Sequence, residues 1–188
     1  MQPTSLRGRC LVIPALVCAA LAFALTGCGS SGASNASPEA AWADGFCTAL
    51  TTWKTDLEPV GSTLKKTDEL SKAKLDQAAT DVGDANAELA SALRQLGQPP
   101  RTAAPQAKVA IQDLSTELEN AAHELGTAAR DVSSGQDIVH AVSVAGAALQ
   151  TMSAEISSTV TKLESLDATD EWKEAFSDSS VCRSLRNS

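Results

Sequence analysis

The two histidines, His123 and His140, are the only imidazole side chains that the chain offers for metal binding or proton transfer near neutral pH. His123 begins a segment like the zinc-binding helix motif His-Glu-x-x-His, but Thr127 stands where the second histidine must close the site. A di-iron bundle needs Glu three residues before its histidine, and Asn120 occupies that place. If two helices pair across a turn at Gly135, His123 lies roughly 10 Å farther along the axis than the position facing His140. We therefore predict two solvated surface histidines and no metal site.

Two serines precede a lysine by three residues, in Ser62-Thr63-Leu64-Lys65 and in Ser71-Lys72-Ala73-Lys74. This is the spacing of nucleophile and base in penicillin-recognising enzymes, but their Ser-Asp-Asn and Lys-Thr-Gly partners are absent from the sequence. The chain also lacks a glycine-rich phosphate loop between a strand and a helix, and it lacks a Ser-His-Asp set that its predicted elements bring together. We therefore predict a protein without enzymatic activity and without a cofactor.

The first 27 residues have the three parts of an export signal. Arg7 and Arg9 supply positive charge, the segment from Leu11 to Ala24 is apolar, and small residues follow it. The uncharged run over residues 10–25 is shorter than the roughly 20 residues that cross a bilayer, and it contains Pro14. A cleaved signal peptide is therefore favoured over the alternative of a retained membrane anchor.

The end of this signal, Leu25-Thr26-Gly27-Cys28, resembles the lipobox of bacterial prolipoproteins. The resemblance implies that a diacylglycerol is attached to the Cys28 thiol and that the chain is cut between Gly27 and Cys28. Acyl chains such as palmitate on Cys28 would hold the mature protein on the extracytoplasmic face of the cell membrane. The Ala-, Leu- and Asp-rich composition is also similar to that of small lipoproteins of high-GC Gram-positive bacteria.

Charge changes sign at the predicted cut. All 23 acidic residues lie beyond Cys28, whereas Arg7 and Arg9 precede it, so the mature chain carries 13 basic residues and a net charge of −10. Nucleic acid is excluded as a partner class, because its phosphates require clustered Lys and Arg. The acidity also disfavours lying flat on an anionic membrane. It is typical of a solvated, soluble exterior, with an acidic patch for a basic partner as the alternative.

The predicted domain organisation is a signal peptide over residues 1–27, a lipidated cysteine with a flexible Gly/Ser-rich linker over 28–37, and a helical domain over 38–188. Apolar residues recur at helical spacing in four segments, the first of which starts at Pro38 and is expected to end at Pro59 and Gly61. The other three repeat every 3.5 residues on average, the period of helices that wind around one another. The first segment has Trp42, Phe46, Leu50, Trp53 and Leu57; the second has Leu75, Ala78, Val82, Ala85, Leu89, Leu93 and Leu96; the third has Ile111, Leu114, Leu118, Ala121, Leu125, Ala128 and Val132; the fourth has Ile138, Val142, Ala145, Leu149, Met152, Ile156, Val160, Leu163 and Leu166.

Breaks between the segments are short and carry helix-ending or capping residues. Gly97, Pro99 and Pro100 follow the second segment, Ser133-Ser134-Gly135 follows the third, and Asp167-Ala168-Thr169-Asp170 precedes a short last one. Short connections favour antiparallel neighbours. The predicted fold is therefore all-α, an antiparallel four-helix bundle with a short C-terminal helix.

The mature chain keeps two cysteines besides Cys28, and we predict that Cys47 and Cys182 form a disulfide, since the exported compartment is oxidising. Two buried free thiols are the alternative. All mature aromatic residues lie near the two ends of the domain, which predicts a sealing cluster under the disulfide. An antiparallel register would set Trp53 against Phe176 and Leu57 against Trp172. A ligand pocket lined by the tryptophans is the alternative for this cluster, whose members are Trp42, Phe46, Trp53, Trp172 and Phe176.

These observations together favour a non-enzymatic interaction module of the cell envelope, which binds another envelope protein or its own copies. The competing hypothesis is a carrier or sensor of a small ligand or metal, with a cavity between its helices. An elongated coiled-coil spacer is a third interpretation.

Overall fold

The computed structural model describes residues 37–66, 69–101 and 103–186, and every regular element in those ranges is an α-helix. The predicted all-α class is therefore confirmed. The predicted signal peptide, Cys28 and all of the linker except Ser37 lie outside the described residues. The helices are α1 (Pro38–Leu64), α2 (Lys72–Leu96), α3 (Ala104–Arg130), α4 (Gly135–Glu164), α5 (Asp170–Asp178) and α6 (Ser180–Arg186).

Helix α1 runs through Pro59 to Leu64, so the prediction that it ends at Pro59 and Gly61 is wrong. Val60 and Leu64 continue its apolar stripe and are 2% and 5% exposed. Burial of two such side chains contributes about 1.5–3 kcal/mol each, which offsets the roughly 3 kcal/mol that an interior proline costs a helix. Since Pro59 lies on the exposed side, its ring does not disturb the core.

Three other helix ends follow the predicted capping residues. Gly97 ends α2 in a positive-φ conformation (φ 81°), which glycine adopts without steric cost. Ser134 begins α4 with a capping box, in which its hydroxyl accepts from the Asp137 N–H. Thr169 caps α5 through the Trp172 N–H. Two side-chain caps and one glycine backbone conformation therefore place three of the boundaries.

The helices share one core, which confirms a helical bundle. Helix α1 packs on α2, α2 on α3 and α3 on α4, while α5 and α6 pack against both α1 and α4. The predicted seam of α2 is buried from Leu75 to Leu89. The described residues therefore belong to one compact unit.

The buried face of the first half of α4 is shifted from the predicted one. Ala141, Ala145 and Ala148 are at most 3% exposed, whereas the larger Ile138 and Leu149 are only half-buried. Alanine lets the helix axes approach closely, because no bulky side chain separates them. The larger side chains then flank the contact instead of forming its centre.

The C-terminal segment forms two short helices, not the single one predicted. The break is at Ser179, whose extended backbone (φ −61°, ψ 118°) separates α5 from α6. Its buried hydroxyl accepts from the Cys182 N–H at 3.2 Å. Serine therefore ends one helix and begins the next, and it sets the direction in which Cys182 approaches the core.

Candidate binding surfaces

The predicted disulfide between Cys47 and Cys182 is confirmed and joins α1 to α6. The two Cα atoms are 5.1 Å apart across 135 positions of sequence. Both cysteines are fully buried. The bond therefore ties the C-terminal helices to the start of the bundle.

Four of the five predicted cluster residues are in ring contact, and all four are buried. Trp42 stacks on Phe46 at 5.3 Å between centroids and lies 5.4 Å from Trp172, and Phe176 lies 5.1 Å from Trp172. The Trp172 indole N–H also donates to the Leu163 carbonyl at 2.6 Å. These rings fill the space between α1, α4 and α5, and they form a packed core.

The predicted pairing within the cluster is wrong. Phe176 contacts Trp42 and Phe46 instead of Trp53, and Trp172 contacts Trp42. Because α5 ends at Ser179, its register on α1 is not the one obtained by counting back from Cys182 along one continuous helix. Trp53 therefore lies apart from the four contacting rings.

Trp53 takes part in a polar link that the sequence analysis missed. Its indole N–H donates to Asn86 Oδ1 at 2.8 Å, and Asn86 Nδ2 donates to the Leu118 carbonyl at 3.1 Å. The link crosses from α1 through α2 to α3. An asparagine beside the seam residue Ala85 was the available signal, since half-buried amides in helices need partners.

The histidines are both exposed, and they line the same depression of about 420 Å³ between α3 and α4. From the predicted axial offset, we did not expect the two histidines to line the same depression. Glu124 and Asp137 line it as well. Among residues 37–66, 69–101 and 103–186, no group of three or more His, Cys, Asp or Glu side chains is placed to hold a metal ion.

Asp137 in this depression acts as a cap. Its carboxylate accepts from the Ser134 N–H at 2.7 Å and from the Ser133 hydroxyl at 2.8 Å. Hydrogen bonds from the Ser134 and Ser133 side chains and backbones lower the pKa of Asp137 from 3.8 to about 2. The charged carboxylate therefore stabilises the start of α4.

The Asp137→Asn substitution is expected to lower stability at neutral pH. Because the folded-state pKa is depressed, the stabilisation is present above the ordinary pKa and is lost as the pH falls through about 2. The difference in urea midpoint between wild type and variant should therefore shrink from about pH 4 to about pH 2. Asp113→Asn, at an exposed position of α3, is the control. A pH-independent difference would contradict the capping role.

One of the two Ser-x-x-Lys segments has a structural role. The Ser71 hydroxyl caps α2 by accepting from the Lys74 N–H. Lys74 Nζ pairs with Glu69 at 3.2 Å. Ser62 and Lys65 are exposed near the end of α1. The Ser71/Lys74 pair therefore has a helix-capping explanation.

A groove runs along the contact of α2 with α3, and we call it the α2–α3 groove. It consists of two adjoining sections of about 470 and 450 Å³ that share Ala90, Leu93, Ser115 and Glu119. Trp42 walls one end, where its indole N–H donates to the Gly97 carbonyl at 3.4 Å. The full lining is Ala79, Gly83, Asn86, Ala87, Leu89, Ala90, Leu93, Leu114, Ser115, Leu118, Glu119, Ala122 and His123 in one section, and Trp42, Ala90, Leu93, Arg94, Leu96, Gly97, Gln98, Pro99, Lys108, Ile111, Gln112, Ser115 and Glu119 in the other.

A second surface is the exposed side of the first half of α4, and we call it the α4 outer face. Between Asp137 and Glu155 the sequence has no Asp, Glu, Lys or Arg. Val139 on this face is 72% exposed. This 17-residue interval without Asp, Glu, Lys or Arg is a signal that the sequence itself carries. The members of the face are Val139, Ser143, Ala147, Gln150 and Ala154, all of them exposed.

No family model, curated protein or solved structure matches this chain. Among the helices described, none is both long enough and apolar enough to cross a membrane.

Proposed function

We propose that the chain is a membrane-anchored extracytoplasmic lipoprotein, held by lipid on Cys28, whose helical domain is a non-enzymatic protein-interaction module of the cell envelope. The Leu25–Cys28 lipobox pattern at the end of an export signal supports the anchor. The Cys47–Cys182 disulfide supports export, since such bonds persist in oxidising compartments. The Gly/Ser-rich composition of residues 29–37 predicts a separation on the order of 17 Å between the domain and the membrane.

We also infer that the four long helices are antiparallel to their sequence neighbours. Trp42 bonds to Gly97 and Trp53 to Asn86, so residue numbers fall along α2 as they rise along α1. For α2 and α3, the Lys72 ammonium donates to the Ala129 carbonyl at 3.0 Å, while Asn86 reaches Leu118. These pairs support antiparallel packing of α1 with α2 and of α2 with α3, and the short connection at Ser133 and Ser134 extends the same expectation to α4.

The α4 outer face is the observation that carries the interaction role, and its charge favours a second copy of this chain as the partner. The other long helices expose acidic residues, such as Asp44 on α1, Glu88 on α2 and Glu117 on α3. In a mature chain of net charge −10, these faces repel one another. The α4 outer face has no charge to repel a copy of itself, and its small residues allow two helices to approach closely.

A two-fold contact through this face requires two antiparallel α4 helices, because the same surface is presented by both copies. With the axis near residues 146–147, Val139 of one copy lies against Ala154 of the other, and Ser143 lies against Gln150. The contact is about 22 Å long at 1.5 Å per residue. Such a small patch gives a weak interface in solution. Tethering both copies to one membrane raises their effective concentration.

Cysteine crosslinking of the full-length chain in membranes tests this arrangement. Co-expressed Val139→Cys and Ala154→Cys chains should form a disulfide-linked dimer, and Ala147→Cys should link to itself. Val139→Cys alone should not, because its two copies lie about 22 Å apart along the axis, beyond disulfide reach. Ala73→Cys, exposed on α2, is the matched control.

Dimer yields no higher than those of Ala73→Cys would rule out a second copy on this face. A photo-crosslinking residue at position 147 then distinguishes the remaining cases. Capture of one defined envelope protein would keep the interaction role and replace the partner. Capture of nothing would remove the α4 outer face from the proposed function.

A further inference from the structure

The α2–α3 groove has two cations beside its Trp42 end, Arg94 on α2 and Lys108 on α3. Both are exposed. The ion pairs among the described residues join Lys72 to Asp76, Lys74 to Glu69 and Arg186 to Glu164. Arg94 and Lys108 therefore pair with no described carboxylate, although the chain has 23 acidic residues.

The neighbouring groove between α1 and α2 has the opposite charge. It measures about 610 Å³ and also has an apolar lining, but its charged residues are Asp56 and Glu88. In the section of the α2–α3 groove that Trp42 lines, two cations accompany one acid, Glu119. The two grooves therefore differ in charge and not in apolar character, and an anion is favoured in only one of them.

The antiparallel register inferred above separates the charges along the α2–α3 groove. With Asn86 level with Leu118, Lys108 faces Leu96, only about 3 Å along the axis from Arg94. Glu119 faces position 85, about 14 Å farther along. The two cations therefore lie at the same level near one end, and the acid lies well beyond them.

The groove between these levels suits a slender apolar group. Leu93 and Ile111 are half-buried and line it, and its continuation is lined by the small residues Gly83, Ala87 and Ala90. Small side chains leave a channel between the two helices that bulky ones would fill. Ligand sites commonly combine such an apolar lining with a few polar groups that orient the ligand.

We propose that the α2–α3 groove binds an anionic single-chain amphiphile. Arg94 and Lys108 donate hydrogen bonds to the anionic head, which is a carboxylate or a phosphate. The tail lies along Leu93 and Ala90 toward Gly83. This site is separate from the α4 outer face, so its test does not depend on the proposed self-association.

Photolabelling of the full-length chain in detergent-free membrane preparations tests the site. The probes are a diazirine-bearing long-chain carboxylate, the matching alkyl phosphate and the matching alkyl trimethylammonium. Peptide mass spectrometry should place the label of at least one anionic probe within residues 83–96 and 108–119. The cationic probe should label these residues about tenfold less, because it meets Arg94 and Lys108 as like charges.

The Arg94→Gln/Lys108→Gln double variant should lower anionic labelling of the groove about tenfold. Lys65→Gln/Lys66→Gln removes the same charge from exposed positions at the end of α1 and should leave labelling unchanged. Ala90→Phe should block the channel while it keeps both cations. Since this variant can disturb packing, the surface double variant is decisive.

The proposal would be overturned if the Arg94→Gln/Lys108→Gln variant were labelled by the anionic probes as strongly as wild type. It would also be overturned if the cationic probe labelled the groove as strongly as the anionic probes do. Anionic label confined to residues outside the groove would overturn it as well. Dimer formation through Ala147→Cys is measured separately, so failure at one surface is distinguishable from failure at the other.

Discussion

Replacing Cys28 by alanine is expected to abolish acyl labelling completely and to leave a precursor that still carries residues 1–27. The lipoprotein resemblance implies that the Cys28 thiol accepts the diacylglycerol and that cleavage follows this modification. Alanine has no thiol, so both steps are blocked. Metabolic labelling with an alkyne palmitate analogue measures the first step, and the apparent mass of the chain measures the second.

Cys18→Ala is the matched control for this experiment. It removes a thiol from the predicted signal peptide without changing Leu25–Cys28, so lipid labelling and processing should match those of wild type. A Cys28→Ala chain that is cut and still takes up palmitate would contradict the lipobox interpretation. The proposed membrane anchor would then have to lie at another residue.

Replacing Trp172 by alanine is expected to lower the free energy of unfolding by about 3–5 kcal/mol, the usual cost of deleting a large buried aromatic side chain. The Trp172 ring is fully buried against Trp42 and Phe176. Its indole N–H also donates to the Leu163 carbonyl in the last turn of α4. The substitution therefore removes packing between α1, α4 and α5 together with one buried hydrogen bond.

Urea unfolding followed by circular dichroism, with the disulfide intact, measures this effect. Trp172→Phe keeps a ring but loses the donor, so its cost should be smaller than that of alanine. Val139→Ala, at a position that is 72% exposed, should change stability by less than about 0.5 kcal/mol. A Trp172→Ala loss below about 1 kcal/mol would mean that α5 contributes little to the core.

The class of the fold and most helix boundaries could be predicted because their causes are local. Gly97 and Ser134 act within one helical turn of their own positions, so nearby sequence is sufficient to locate them. Pro59 shows the limit of such local reasoning. Its helix continues because Val60 and Leu64 bury side chains against the core, and that gain is invisible within α1 alone.

At the candidate sites, too, some features could be predicted from the sequence and others could not. The cysteine pair could be identified by counting, and the aromatic residues by their position near the termini. The contacts of the aromatic residues with one another could not be predicted, because the break at Ser179 redirects α5 and places Phe176 on Phe46. Likewise, Arg94 and Lys108 belong to different helices, and only packing makes them line one groove.

The sequence by itself determined that the described part of the chain is helical, where most of its helices begin and end, and that Cys47 pairs with Cys182. These properties depend on backbone preferences and apolar periodicity within a few residues. Tertiary structure alone decided which aromatic rings touch, that alanines form the centre of the α4 contact, and that two cations share an apolar groove. The physical reason is that packing selects among registers of similar local energy through contacts between residues distant in sequence.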